Sequence, residues 1–104
     1  MIFFVSGKMT GLSDLGRKAF KEAEIYLSFM GHTVLSPANH IPMLHPESIT
    51  HEQYIHICKA MIDVCDAIYL LPNWEDSKGS KIEYDYACAN GKKIYKYGDF
   101  NEPM

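Results

Sequence analysis

Two polar segments of this chain contain the residue types that could bind a small molecule or act on it. The segment SGKMTG covers residues 6–11, and the segment NWEDSKGSKIEYDYA covers residues 73–87. Small residues before a helix leave backbone N–H groups open to a phosphate or carboxylate. In the second segment, Trp74 offers a ring that could stack on a nucleobase, and Glu83 offers a carboxyl group for nucleophilic or acid–base chemistry. These two segments are therefore the candidate site.

Each of these features also has an ordinary structural interpretation. SGKMTG has neither the Walker A spacing nor GxGxxG, so on spacing alone a plain turn before a helix is the favoured interpretation. Trp74 could instead lie in a protein interface. The spacing of Ser80 and Glu83 is that of a capping box, in which the glutamate would only close the start of a helix.

No residue pattern in the chain indicates a metal or cofactor site. The segment HEQYIH imitates a zinc-binding helix, but His51 and His56 are five residues apart. On a helix they would point about 140° apart, too far to share one ion. The three cysteines, Cys58, Cys65 and Cys88, form no CxxC pair. We therefore predict no metal, no cofactor and a reduced, cytoplasmic chain.

The composition and charge of the chain argue against some classes of binding partner. The 104 residues suit one domain, which we place at residues 1–104 and interpret as nucleotide-binding. A net charge of −3 and the lack of a basic stripe argue against binding of DNA or RNA. No stretch reaches about 18 consecutive apolar residues, and the start has no basic n-region, so we predict no membrane span and no signal peptide. The expected partner is a small molecule.

The pattern of apolar residues predicts alternating strands and helices. Short apolar runs predict strands at residues 2–6, 32–36, 66–72 and 92–97, and helical spacing predicts helices at 14–30, from Thr50 and at 80–90. Ser13 is the expected N-cap of the first helix, and Tyr54 and Cys58 fall on the apolar stripe of the second. This order predicts an α/β fold: a small doubly wound parallel sheet of order 2-1-3-4, with helices on both faces.

A ligand of such a sheet binds beyond the carboxyl ends of the strands, at the switch point between strands 1 and 3. Both candidate segments reach this crevice, and the proline-rich loop at residues 37–49 is expected to be a flap or an interface element. Phosphates would meet donors of the two segments, and adenine would stack on Phe4 or Trp74. The predicted ligand-binding residues are Phe4, Ser6, Gly7, Met9, Thr10, Trp74, Ser77, Gly79 and Glu83.

Four segments together carry a family resemblance that covers residues 2–97. FFVSGKMTG, GHTVLSPA, CDAIYLLPNWEDSKGSKIEYDYA and GKKIY resemble the nucleoside 2-deoxyribosyltransferase-like superfamily, and most closely its small phage and bacterial branch. The resemblance implies the same fold, and enzymes that cleave N-glycosidic bonds with a glutamate nucleophile at the position of Glu83. It also places Ser77 against the 5′ end of a nucleoside, where serine is found in a relative that accepts nucleoside monophosphates.

Two catalytic helpers of the superfamily have no counterpart here. Phe4 stands at the position of an assisting tyrosine in the first strand, and Cys58 stands at that of an aspartate on the preceding helix. A thiol, with an ordinary pKa of about 8.5, is a poor replacement for that acid. The resemblance therefore implies a nucleotide pocket that keeps Glu83 without its helpers.

Within that branch, the chain resembles the phage anti-defence proteins of the second type that act against Thoeris systems. Their properties imply a sponge that binds glycocyclic ADP-ribose isomers, and in some members cyclic oligonucleotides, without cleaving them. Bacterial anti-phage defence is inhibited as a result. They also imply a homotetramer, a dimer of dimers with pockets between protomers, to which the polar tail at residues 96–104 would contribute.

Two other functions stay open. Glu83 could still act as the nucleophile of a nucleotide N-glycosidase or 2-deoxyribosyltransferase. Alternatively, the crevice is vestigial and the aromatic surface serves protein contacts in a pure assembly module. We expect sequestration rather than catalysis, because the helper positions hold Cys58 and Phe4.

Overall fold

The computed structural model describes residues 1–8, 16–37 and 50–100. Four strands and three α-helices have their bounds within these ranges, and a 3-10 turn follows the third strand. The elements are β1 (Ile2–Ser6), α1 (Arg17–Phe29), β2 (Thr33–Leu35), α2 (His51–Asp63), β3 (Ala67–Leu70), the 3-10 turn (Trp74–Asp76), α3 (Lys78–Ala89) and β4 (Lys93–Lys96). The predicted alternation of strands and helices is confirmed.

The four strands are parallel and lie in the order β2-β1-β3-β4, as predicted. β1 is an inner strand: Phe4 pairs with Leu35 of β2 on one side and with Ile68 of β3 on the other. Parallel strands that are covered on both faces are apolar throughout, and β3 is accordingly buried along its whole length. β4 completes the sheet, with Ile94 opposite Ile68.

Helices cover both faces of this sheet, which makes the fold doubly wound. Because successive side chains of a strand point to opposite faces, β1 contributes Phe3 and Val5 to one core and Phe4 to the other. The first core is completed by buried residues of α1, and the second by buried residues of α2 and α3. By the same alternation Ser6, at the end of β1, lies on the side of α2 and α3.

The N-terminal cap of α2 agrees with the sequence pattern, whereas that of α3 differs from it. Thr50 caps α2 in a full capping box: its hydroxyl accepts the N–H of Gln53 at 3.0 Å, and the Gln53 side chain accepts the N–H of Thr50 at 2.8 Å. The alternative interpretation of Ser80 and Glu83 as a capping box is wrong, because α3 begins two residues before Ser80 and has Ser77 as its N-cap. Glu83 lies inside the helix, so its carboxyl group is not used at the helix start.

Helix α1 starts later than predicted, at Arg17 rather than at residue 14. Gly16 precedes it with a φ of 79°, a conformation that glycine adopts without strain. A Cβ at Gly16 would also lie 2.6 Å from the carbonyl oxygen of Lys8. The predicted N-cap, Ser13, and the predicted flap beyond Pro37 lie outside the described residues.

The C-terminal segment packs on its own chain, which corrects the expectation of a purely polar tail. The Tyr26 hydroxyl of α1 donates to the Phe100 carbonyl oxygen at 3.0 Å. The Phe100 ring stacks on Tyr95 and Tyr69, with centroid distances of 5.1 Å and 6.2 Å. Phe100 therefore extends the core on the α1 face, opposite α2 and α3. Residues 101–104 lie outside the described part.

Two further features are absent from the described ranges. None of their helices has the length and apolar character needed to cross a membrane. Nor do three His, Cys, Asp or Glu side chains there come together in a group that could hold a metal ion. The cytoplasmic location, the single domain at residues 1–104 and the lack of a cofactor stay predictions.

Candidate functional site

The centre of the candidate site is the buried carboxyl group of Glu83. This residue of α3 is 4% exposed, and its Oε1 atom accepts a hydrogen bond from the Ser6 hydroxyl at 2.6 Å. Ser6 is fully buried at the carboxyl end of β1, one of the two strands at the predicted switch point. A buried carboxyl group is costly unless hydrogen bonds compensate for the lost water. The contact therefore fixes Glu83 at the end of the sheet.

Two side chains of α2 extend this contact into a chain of hydrogen bonds. The Cys58 thiol donates to Glu83, and the Tyr54 hydroxyl donates to Cys58. Tyr54 and Cys58 are four residues apart, so both lie on the same face of α2. Donation thus runs from Tyr54 through Cys58 to Glu83, while Ser6 donates to the same carboxyl group from β1.

Of these four side chains, only Glu83 changes its protonation near neutral pH. Burial raises its pKa to about 7, although the hydrogen bonds from Ser6 and Cys58 act in the opposite direction. Burial, and next the Glu83 carboxylate, raise the pKa of the Cys58 thiol far above its usual range. Burial also raises the pKa of Tyr54 well above its usual range. At neutral pH both forms of Glu83 are therefore populated, whereas Cys58 and Tyr54 stay protonated.

The two predicted loops meet beyond the ends of β1 and β3. The backbone N–H of Lys8 donates to Asn73 Oδ1 at 3.1 Å, which ties the loop after β1 to the loop after β3. Gly7 lies so close to Leu71 that a Cβ would be 2.5 Å from the Leu71 Cδ1 atom, so the packing itself requires glycine there. The predicted convergence of the two segments is confirmed at these contacts.

The first turn of α3 presents small residues and a buried hydroxyl group. Ser77 Oγ accepts the N–H of Ser80 at 3.1 Å, so this serine caps the helix. Gly79 faces α2, where an added Cβ would lie 3.7 Å from Ile55 and 3.9 Å from His51. Ser80 is 1% exposed, and its hydroxyl has no hydrogen-bond partner in the described part of the chain. Because N–H groups at a helix start attract anions, this turn is the part of the site suited to a phosphate.

The two aromatic residues predicted to stack on a base have different surroundings. Phe4 is fully buried in the core formed with α2 and α3, so its ring has no surface for a ligand. The expectation that adenine stacks on Phe4 is corrected accordingly. Trp74 is half-buried, and its ring lies 4.9 Å from the Tyr84 ring and 5.8 Å from the amino group of Lys96. Of the two, Trp74 is the side chain that a ligand could reach.

Two further points concern the residues of the predicted site. Met9 and Thr10, both predicted to bind the ligand, lie outside the described residues. The sequence places Tyr54 only in the apolar stripe of α2, yet its hydroxyl belongs to the hydrogen-bond chain. Its spacing from Cys58 is a signal for the contact between those two, but not for the link to Glu83, which depends on how α2 packs against α3.

Comparisons with known proteins give this geometry a context. Residues 1–96 match the DUF4406 family, a domain of unknown function. No curated protein matches the chain. A 2-deoxyribosyltransferase from Leishmania mexicana aligns with a TM-score of 0.70 and 20% identity, over 92% of this chain and 63% of that one. Another from Bacillus psychrosaccharolyticus aligns with a TM-score of 0.70 and 22% identity, over 92% of this chain and 71% of that one.

A third solved structure is the CMP N-glycosidase of Clostridium botulinum. It aligns with a TM-score of 0.58 and 19% identity, over 98% of this chain and 75% of that one. At these identities the likeness concerns the fold, and the predicted deoxyribosyltransferase-like fold is confirmed. The chain spans only 63% of the length of the Leishmania protein.

Proposed function

This chain belongs to the DUF4406 family, and we propose that it binds a nucleotide-type small molecule beside Ser6 and Glu83 without cleaving it. The fold supports a nucleotide-related ligand, since its structural relatives include 2-deoxyribosyltransferases and a CMP N-glycosidase. Holding a ligand intact removes it from solution. The proposed activity is therefore sequestration, in which the protein acts as a sponge.

The contact between Glu83 and Cys58 is the observation that carries this proposal. Cleavage of a glycosidic bond generally needs one group that attacks the sugar and an acid that protonates the leaving group. Glu83 has the position of the first. Its neighbour on α2 is a thiol whose pKa is raised by burial, and such a thiol does not release its proton to a departing base. The described groups that shift the pKa of Glu83 include no second carboxyl group.

We propose a cyclic nucleotide that contains a pyrophosphate, such as a glycocyclic ADP-ribose isomer, as the ligand. Its phosphates would lie at the start of α3, near Ser77, Gly79 and the Ser80 hydroxyl, which lacks a partner among the described residues. Its adenine would stack on Trp74. Cyclic oligonucleotides also carry nucleobases and phosphates, the latter as separate phosphodiesters, and form a second ligand class. Sequestering such a signal would inhibit bacterial anti-phage defence, as the resemblance to Thoeris anti-defence proteins implies.

Assembly of several protomers belongs to the same proposal. Sequestration of a dilute signal needs high affinity, and each tenfold gain corresponds to about 1.4 kcal/mol. Tight sites enclose most of the ligand surface, which a pocket between protomers would do better than the crevice of one chain. We therefore propose a homotetramer, a dimer of dimers, in the cytoplasm. The tail as far as Phe100 packs on the α1 face and does not reach Glu83 of its own chain.

A second function has one feature of Glu83 in its favour. A pKa of about 7 leaves part of the Glu83 population ionised at neutral pH, and an ionised carboxyl group can attack a sugar. The alternative is therefore a nucleotide N-glycosidase or 2-deoxyribosyltransferase with Glu83 as its nucleophile. Its remaining requirement is a proton donor for the departing base.

Binding and turnover can be separated with two variants that make the same change of charge. Glu83→Gln removes the buried carboxyl group, and Glu22→Gln removes one from the exposed surface of α1. Each protein is incubated with deoxynucleoside monophosphates and with a glycocyclic ADP-ribose isomer, and released base is measured by chromatography. The proposal predicts no released base from any protein, with binding by the wild type and Glu22→Gln. Base release that Glu83→Gln abolishes would establish the enzyme instead.

A further inference from the structure

We propose that Lys96 supplies the cation that pairs with a phosphate of the ligand, and that its amino group leaves the ring of Trp74 when a nucleobase stacks there. This inference rests on the proposed function and adds how the β4 side of the site recognises a base that is joined to a phosphate. Its support lies in the position of Lys96 on the sheet, in the contacts of Trp74 and in the charges around them.

Lys96 lies at the carboxyl end of the sheet, where the two candidate segments meet. It is the last residue of β4 and pairs with Leu70, the last residue of β3. Ile94, two residues earlier, packs in the core with α2 and α3, so the side chain of Lys96 points to the same face. The backbone N–H of Lys96 donates to Asp99 Oδ2 at 2.7 Å. The strand end is therefore fixed, and an exposed, flexible side chain extends from it.

The ring of Trp74 has two described neighbours. The Tyr84 ring lies 4.9 Å away between centroids at an angle of 36°, and the Lys96 amino group lies 5.8 Å from the Trp74 centroid. Tyr84 is half-buried and packs against the core of α2 and α3, whereas Lys96 is exposed. A base that stacks on Trp74 where the amino group lies therefore displaces Lys96 and leaves Tyr84 in place.

The exchange of partners by Lys96 favours a bound phosphate. A cation over an aromatic ring is held only weakly at an exposed site. A hydrogen bond from a lysine to a phosphate is charge-assisted and about twice as strong as a neutral one. Among the described residues, no carboxylate forms an ion pair with the Lys96 amino group. This group therefore loses only a weak contact when it turns from the ring to a phosphate.

The charges next to Trp74 give such a cation a purpose. Glu75 and Asp76 follow Trp74 in the 3-10 turn, and both are exposed. They would repel a phosphate that approaches this turn, and the Lys96 ammonium offsets that repulsion. A nucleotide offers Lys96 a new partner when its base displaces the amino group, whereas a nucleoside does not. Lys96 and Trp74 together therefore select nucleotides over nucleosides.

Isothermal titration calorimetry with a glycocyclic ADP-ribose isomer tests this inference. Lys96→Gln removes the charge at the site, and Lys93→Gln makes the same change on the opposite face of β4, where it is also exposed. Lys96→Gln should lose about tenfold in affinity, while Lys93→Gln and Lys96→Arg stay close to the wild type. The loss should shrink at about 1 M salt, where charges are screened beyond about 3 Å.

The fluorescence of Trp74 gives a second readout, because it is the only tryptophan of the chain. Its emission should be quenched on binding, when the base replaces the amino group over the ring. Thermal unfolding confirms that each variant is folded before its affinity is compared. An affinity loss that does not depend on salt would indicate a structural role for Lys96 and would overturn the proposed ion pair.

Each remaining failure has its own signature. Wild-type affinity in Lys96→Gln, or an equal loss in Lys93→Gln, would overturn the inference and leave the binding function intact. Binding that calorimetry detects without any change in Trp74 emission would overturn the displacement of Lys96 by a base. No binding by the wild-type protein would contradict the proposed function itself.

Discussion

The hydroxyl of Ser6 lies 2.6 Å from Oε1 of Glu83, although 77 positions separate the two residues in the chain. Ser6 ends an inner strand of the sheet, and Glu83 lies on the last helix. Their hydrogen bond exists only after the sheet has formed and α3 has packed on it. Folding itself therefore assembles the candidate site, and variants of either residue report on stability as well as on function.

Ser6→Ala leaves the buried carboxyl group with one donor fewer. The lost bond favours the ionised form of Glu83, so the variant should raise the pKa of Glu83 further. It should lose about 2 kcal/mol of stability above neutral pH, where that form prevails, and less near pH 5. Urea unfolding at both pH values measures the loss, with Ser28→Ala on the exposed face of α1 as the control. Equal losses at both pH values would contradict the role assigned to the bond.

The raised pKa of Glu83 makes its contribution to stability fall as the pH rises. The folded protein keeps this proton up to about pH 7, whereas the unfolded chain releases it near 4.5. Between these values the folded state binds more protons, so a higher pH destabilises it. The difference, 7 minus 4.5, corresponds to about 3 kcal/mol.

Glu83→Gln should remove this part of the pH dependence. Urea unfolding from about pH 4.5 to 8 should show the free energy of unfolding of the wild type falling by about 3 kcal/mol relative to that of the variant. Glu22→Gln, which changes an exposed carboxyl group, should follow the wild type. Parallel pH profiles for the wild type and Glu83→Gln would show that Glu83 has an ordinary pKa.

Substitution can separate the capping role of Ser77 from its proposed contact with a phosphate. Aspartate and threonine also cap helices, so Ser77→Asp and Ser77→Thr should change the stability by less than about 1 kcal/mol. The charge of Ser77→Asp would repel a phosphate at the start of α3, and we expect its affinity for a glycocyclic ADP-ribose isomer to drop at least about tenfold. Ser77→Thr should retain binding. If calorimetry shows that Ser77→Asp binds with wild-type affinity, the phosphate does not bind at this turn.

Phe100 should matter for stability and not for binding. Its ring stacks on Tyr69 and Tyr95, on the sheet face opposite Glu83. Phe100→Ala should cost about 2 kcal/mol, less than for a fully buried phenylalanine, because the residue is half-buried. Thermal unfolding measures the cost, and calorimetry measures ligand affinity. A folded variant that has lost affinity would instead place the tail in the pocket of a partner protomer.

The fold was predictable because its main determinants are local. The runs at β1 and β3 lie within the predicted bounds, and the crossover rule then restricts the strand order. The start of α3 was not predictable in this way. Ser77 and Ser80 are both good N-caps, and the choice depends on packing, since Glu83 bonds to Ser6 rather than to the helix start.

Individual residues and loops of the candidate site were predictable, but the contacts between them were not. Glu83 and the two loops follow from residue types and from the family resemblance, and the contact of Lys8 with Asn73 agrees with the expected switch point. The link from Tyr54 through Cys58 to Glu83 joins two helices, and no spacing rule reports which residue of an apolar stripe will face a carboxyl group. The same holds for Phe4, whose burial depends on α2 and α3 covering that face of the sheet.

Recovery of bound ligand tests sequestration most directly. The purified protein is mixed with a glycocyclic ADP-ribose isomer near stoichiometric concentration, and free ligand is quantified by mass spectrometry before and after the protein is denatured by heat. We predict that the ligand disappears from solution on mixing and returns intact on heating. Ligand that stays free throughout, or that is converted into free base and ribose products, would contradict sequestration, and the second result would assign glycosidic cleavage to Glu83.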